Sequence, residues 1–171
     1  MSTKPVVEIE IQDYGTIRLE LDGEHAPIST KNFVTLAQEG FYNGLTFHRI
    51  IEGFMMQGGD PLGNGMGGSQ VNIKGEFLMN GVANPLKHTR GAISMARAND
   101  MNSANSQFFI VHKDYPSLNG KYACFGYVTE GIEIVDAICE GAQPTDGNGS
   151  IAKDQQPVIK TITIREIKAE K

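Results

Sequence analysis

The amino terminus alternates without a break: Val7, Ile9 and Ile11 fall on one side, Glu8, Glu10 and Gln12 on the other. Successive side chains of a strand point to opposite faces, so a run of this period buries one clean face only as a strand. Asp13-Tyr14-Gly15 supplies turn residues, and Ile17, Leu19 and Leu21 then alternate with Arg18 and Glu20. Together the two runs predict a hairpin with one buried face. The far end repeats the pattern, with Ile162 and Ile164 set against Thr161, Thr163 and Arg165.

Further apolar, β-rich runs fall at 45–51, 54–57, 91–96, 107–111 and 122–128. The 20 glycines are spread along the chain, so they read as turns between strands rather than as a linker. Many short strands with glycine turns predict a sandwich or barrel. Two segments break the pattern. Pro27 to Gln38 predicts a helix: proline suits the first turn, Ser29 and Thr30 are candidate caps, and Phe33, Leu36 and Ala37 share a face. Residues 132–138 predict a shorter helix with Ile134, Val135 and Ile138 on one side, closed by Gly141. The expected architecture is mainly β: a closed barrel, free of exposed sheet edges, whose ends the helices plug.

A chain of 171 residues with no repeat, charge run or low-complexity tract is expected to form one domain, 1–171. Its formal charge of −5 and lack of a basic run argue against nucleic-acid binding. No stretch is long and apolar enough for a membrane span or signal peptide, so the expectation is a soluble, cytoplasmic protein. With no heptads, it is also expected to be a monomer. Cys124 and Cys139 are expected as reduced thiols. Asn148-Gly149-Ser150 matches a glycosylation triplet, which carries no weight without a secretory signal.

Residues 63–68 match G-x-G-x-x-G, but no helix pattern follows, so a flexible surface loop is the better expectation than a nucleotide site. His25, His48, His88 and His112 show no metal-site spacing, and no metal or cofactor is expected. Ser94 and Ser106 lack the elbow of a serine hydrolase. Phe54, Met55 and Phe109 would, on residue type alone, be assigned to the core.

Three segments carry a longer pattern. The first is Phe47-His48-Arg49-Ile50-Ile51-Glu52-Gly53-Phe54-Met55-Met56-Gln57-Gly58-Gly59-Asp60. The second runs from Gly91-Ala92-Ile93-Ser94-Met95-Ala96-Arg97 to Asn105-Ser106-Gln107-Phe108-Phe109-Ile110, and the third from Leu118-Asn119-Gly120-Lys121 to Gly126. In order and spacing they closely resemble the signature blocks of the cyclophilins, and the resemblance extends from about Pro5 to Lys168. Its flavour is that of the short bacterial members.

The resemblance implies an eight-stranded antiparallel barrel capped by two helices and a peptidyl-prolyl cis–trans isomerase activity without cofactor. It implies that Arg49 is the catalytic cation, with Gln57 beside it. Phe54, Met55, Phe109 and Leu118 would hold the proline ring. Gln57, Arg97 and Gln107 would hold the substrate backbone, and Ala96, Ala98 and Gly65 would line a neighbouring pocket. Tyr122 stands where many relatives carry histidine. Expected partners are proline-containing peptides and partly folded proteins. The alternative is a proline-peptide binding module or holdase with little turnover.

The chain departs from the family at three places. Ser117 stands where relatives that bind cyclosporin tightly carry tryptophan, and the chain has no tryptophan, so cyclosporin binding is expected to be weak. Arg97 replaces a common asparagine, and its charge is expected to favour acidic residues before the proline. Glu52 replaces a common proline, with only a local effect expected on its turn. His48 is expected to be a satisfied core histidine rather than a catalyst.

Overall fold

The structure, a computed structural model, describes residues 4–167. The few residues at either end of the expected domain, including Lys168, lie outside that range. The elements in chain order are β1 (Pro5–Ile11), β2 (Gly15–Leu21), α1 (Pro27–Gln38), β3 (Phe47–Ile51), β4 (Met55–Gly58), β5 (Ala92–Met95), β6 (Phe108–Val111), β7 (Cys124–Glu130), α2 (Ile132–Gly141) and β8 (Ile159–Ile167). All strand pairs are antiparallel, in the order β3-β4-β6-β5-β7-β2-β1-β8.

The closed barrel is corrected by this order. The eight strands make an open, curled half-barrel with β3 and β8 at its edges. The reason is visible at β3. Its outer edge is taken up by the segment leading into β8: Ile50 N donates to Gly149 O, Ile151 N to His48 O, and Phe47 N to Pro157 O. On its side away from β1, β8 meets the approach to β3, where Gly44 N donates to Ile159 O and Ile159 N to Leu45 O, and Val158 just before the strand bridges Thr46. The edge groups are thus satisfied by covering loop rather than by ladder closure.

The alternation that predicted the hairpin survives intact, because Val7, Ile9, Ile11, Ile17, Leu19 and Leu21 are all buried. They line the inside of the curl. Phe33, from α1, sits among Tyr42, Phe108 and Phe125 with ring centroids 5.1–5.4 Å apart. α1 has the predicted bounds, but neither Ser29 nor Thr30 caps it. The cap position is Ala26, which offers no side-chain acceptor. Glu76 takes that role from far along the chain, accepting from Ile28 N, Ser29 N and Ser29 Oγ at 2.7–3.0 Å. α2 runs a turn further than expected, and its buried residues are Val135, Ile138 and Cys139. Both cysteines are free and buried, and burial lifts their thiols, to about 11 for Cys124 and about 12 for Cys139. That keeps them protonated and unreactive near neutrality.

A second, smaller apolar cluster lies on the other face of the sheet. It comprises Met55, Ala92, Phe109, Val111 and Cys124, with Phe54, Ala96, Leu118 and Tyr122 packed against it. Alternation along β4 and β6 makes the division: Met56, Phe108 and Ile110 join the inner core, while Met55, Phe109 and Val111 join the outer cluster.

Candidate active site

β3, β4 and β6 lie side by side, and their register places Arg49 opposite Gln57, and Gln57 opposite Phe109. A register shift in β3 between Phe47 and Arg49 lets Phe47 enter the core while Arg49 emerges on the outer face. Facing side chains on neighbouring strands come within reach of one another. Here they form a directed chain of hydrogen bonds. Arg49 Nη1 donates to Gln57 Oε1 (3.2 Å), Gln57 Nε2 to Gln107 Oε1 (2.9 Å), and Gln107 Nε2 to the carbonyls of Gly67 (2.9 Å) and Gly65 (3.1 Å).

Beside this polar row is a small cavity of about 130 Å³, lined by Arg49, Phe54, Met55, Gln57, Ala96, Arg97, Phe109, Leu118 and Tyr122. Next to it lies a second, of about 260 Å³, with Gln57, Gly65, Ala96, Arg97, Ala98 and Gln107 among its lining. The structure therefore brings all twelve sequence-predicted site residues into two adjoining pockets that share Gln57, Ala96 and Arg97. Met55 and Phe109 are buried, as their residue type suggests, and also form the pocket floor. A larger cavity of about 870 Å³ follows α1 and contains none of the twelve.

Arg97 is not a free charge. Its guanidinium lies 4.9 Å from the centroid of Phe77 and 4.7 Å from that of Tyr122. It donates to the carbonyls of Lys121, Ala98 and Asn99. Held this way it forms part of the wall shared by the two pockets. Phe109 is backed by His88, whose ring stacks on it at 5.9 Å. His88 Nε2 lies 2.8 Å from Ser94 Oγ, and its Nδ1 3.0 Å from Asn119 Oδ1. Although the trio has the order of a hydrolase relay, Ser94 is fully buried, and burial holds His88 toward the neutral form.

The glycine loop at 63–68 is wrapped around a carboxylate. Buried Asp60 accepts from Leu62 N (2.8 Å), Asn64 N (3.1 Å) and Gly65 N (2.6 Å). Amides that would cradle a phosphate in a nucleotide site are spent on the chain's own acid. Burial alone would raise the Asp60 carboxyl, but the loop amides, that of Gly67 included, outweigh it and hold it below the usual carboxylate range. Its contribution to stability is therefore present above the unfolded value and fades as pH falls through the lowered one. Asp60→Asn should lower stability at neutral pH by about 2 kcal/mol and flatten the acid limb of the thermal-unfolding pH profile. His48 lies beneath Gly65 and is buried, but it is not satisfied as expected, because Nδ1 has no hydrogen-bond partner. Burial lowers its affinity for a proton.

One site residue escaped sequence reasoning. Arg49 Nε donates to the backbone oxygen of Asn148 (2.7 Å), and Nη2 lies 3.4 Å from Asn148 Oδ1. That turn is built by Asp146, which accepts from Asn148 N and Ser150 N. Gly149 has φ +86, and a Cβ there would meet Ile51 Cγ1 at 2.5 Å. The signal was the turn-forming run Asp146-Gly147-Asn148-Gly149, but nothing local reveals that it packs against a strand about a hundred residues earlier.

The family model for "Cyclophilin type peptidyl-prolyl cis-trans isomerase/CLD" matches residues 6–169. This chain belongs to the cyclophilin family. A peptidyl-prolyl cis-trans isomerase of Helicobacter pylori is 50% identical over 129 residues, covering 74% of this chain and 76% of the relative. Peptidyl-prolyl cis-trans isomerase B of Bacillus subtilis is 47% identical over 131 residues, 77% of this chain and 88% of the relative. The cyclophilin resemblance also holds in three dimensions. A Cryptosporidium parvum cyclophilin-type isomerase, solved in the presence of the dipeptide Ala-Pro, superposes with a TM-score of 0.82 at 34% identity. It covers 94% of this chain and 99% of that one. Among the described residues of this cyclophilin, no helix is long and apolar enough to cross a membrane.

Proposed function

We propose that this cyclophilin accelerates cis–trans rotation about X-Pro bonds in peptides and partly folded proteins, and that Arg49 supplies the catalytic donor. The observation that carries the reading is a guanidinium fixed by Gln57 and Asn148 at the rim of a small pocket floored by Met55 and Phe109. Rotation about an amide faces a barrier of roughly 18–20 kcal/mol, because nitrogen shares its lone pair with the carbonyl. Twisting the bond returns that pair to the prolyl nitrogen, which then accepts a hydrogen bond far better than in the planar state. Three of the five N–H groups of Arg49 are committed to Gln57 and Asn148, which leaves two for the substrate. A donor preorganised for the twisted state binds it more tightly than either planar isomer, which is the requirement for catalysis.

The remaining roles follow from position. The pocket formed by Phe54, Met55, Phe109 and Leu118 takes the proline ring. Gln57, Gln107 and the backbone beside Arg97 face the flanking peptide. Ala96, Ala98 and Gly65 leave room in the adjoining pocket for a side chain preceding the proline, and Tyr122 closes the proline pocket edge-on to Phe109. No covalent step is needed. A binding module or holdase would use the same pocket but would gain nothing from an immobilised donor at its rim.

The test is the exchange rate of a short X-Pro peptide with catalytic amounts of protein. Both directions should accelerate equally, with the isomer ratio unchanged. Peptide binding without acceleration would favour the holdase. Cyclosporin should inhibit weakly, because position 117 offers serine in place of an indole face and donor. Inhibition in the nanomolar range would contradict this.

A further inference from the structure

The turn joining β3 to β4 presents Phe54 to the pocket, and a histidine outside the twelve site residues grips it. Phe54 N donates to Ile51 O at 3.0 Å, and Gly53 has φ +81 while Glu52 does not have positive φ. These mark a type II turn with Glu52 and Gly53 as its central residues. Such turns favour proline at the first central position, where the ring presets φ. Glu52 presets nothing, and its backbone N–H makes no hydrogen bond.

What the turn lacks in local rigidity is supplied from β6. His112 follows the last residue of that strand, and its backbone N donates to Phe54 O at 2.8 Å. Its side chain reaches the same turn, where Nδ1 accepts from Gly53 N at 2.9 Å. The imidazole is 1% exposed, and its far nitrogen, Nε2, lies 3.1 Å from Asp136 Oδ1 on α2 without the geometry of a hydrogen bond. Asp136 is in turn clamped by Arg90 through both carboxylate oxygens, at 2.6 and 2.7 Å. The ring is wedged between α2 and the turn.

His112, Asp136 and Glu140 also bring their ligand atoms close enough for a metal ion, but the Gly53 bond argues against one. With the Nδ1 lone pair accepting from a backbone amide, the neutral ring carries its proton on Nε2, the nitrogen a metal would need bare.

We infer that His112 is a positioning residue for the proline pocket. It pins the Glu52-Gly53 turn and so fixes the Phe54 wall, taking over the stiffening that proline would provide at position 52. The inference rests on the isomerase reading of the site, since it assigns Phe54 to the proline ring.

The experiment is a double-mutant cycle between His112→Val and Glu52→Pro, read by Gly53 amide exchange, X-Pro exchange kinetics and peptide affinity from NMR titration. His112→Val should speed Gly53 exchange and raise KM roughly fivefold with kcat within about twofold, the loss of one hydrogen bond acting on ring binding rather than on the twist. Glu52→Pro alone should change little, because residue 51 is already in a strand and no donor is lost. Combined with His112→Val it should restore both slow exchange and KM. His112→Asn, whose Oδ1 can replace Nδ1, should stay near the wild type. A folded His112→Val with unchanged KM, or a loss that Glu52→Pro does not repair, overturns the inference. Rapid Gly53 exchange in the wild type overturns it without any variant. A wild type that binds peptide without accelerating rotation would end the isomerase reading, leaving the His112 effect legible in affinity.

Discussion

Arg49→Ala should lower kcat/KM by about 10²–10³-fold, the usual cost of losing one preorganised donor. The fall should sit in kcat. On the proposed reading the proline ring rests on Met55 and Phe109, and neither depends on the guanidinium for its place in the sheet. Peptide affinity should therefore stay within a few-fold. Gln57 would lose a donor but keep its bond to Gln107, so the polar row should remain standing. Arg49→Lys separates charge from geometry. A lysine keeps the charge but lacks the planar fork that bonds Asn148 and Gln57 while facing the substrate. It should recover only a small part of the rate. Kinetics by NMR exchange, with affinity from titration in the same samples, read both quantities. A rate that survives in Arg49→Ala would place the donor elsewhere.

Glu76→Ala should cost about 2–4 kcal/mol of stability and little activity per folded molecule. Glu76 is 2% exposed and accepts from three donors at the start of α1. No side chain at Ala26 can replace it. Its removal orphans those donors beneath the helix that carries Phe33 into the aromatic core. For a chain of this length the expected fall in Tm is about 5–15 °C. Glu76→Gln retains one acceptor oxygen and should lose roughly half as much. Thermal and urea unfolding check both variants, and an unchanged midpoint for Glu76→Ala would mean that water replaces the carboxylate.

What the sequence revealed, and what it concealed, divides along a physical line. Period-two alternation identifies the strands because it is local, and so β1, β2 and the inner core were legible. The proline in the first turn of α1 and the glycine after its end marked that helix for the same reason. The residues that line the two pockets were named through the long signature around Arg49, not from chemistry visible in single residues, since Met55 and Phe109 have the composition of any core. Long-range partnerships stayed hidden. Glu76 capping α1, Asn148 holding Arg49 and His112 pinning the turn each join segments at least 47 residues apart. Barrel closure failed for a related reason, because no strand pattern shows that a connecting loop will occupy the edge of β3.

The placement of the candidate site on the face of the sheet opposite the main core has an evolutionary consequence. Residues such as Ala96, Leu118 and Tyr122 can be exchanged without opening a void in the packing around Phe33 and Phe108, because a layer of backbone separates the two. Recognition can then drift between lineages while folding stays insured, and the same insulation would let an engineer redraw the pocket with most of the protein's stability held in reserve.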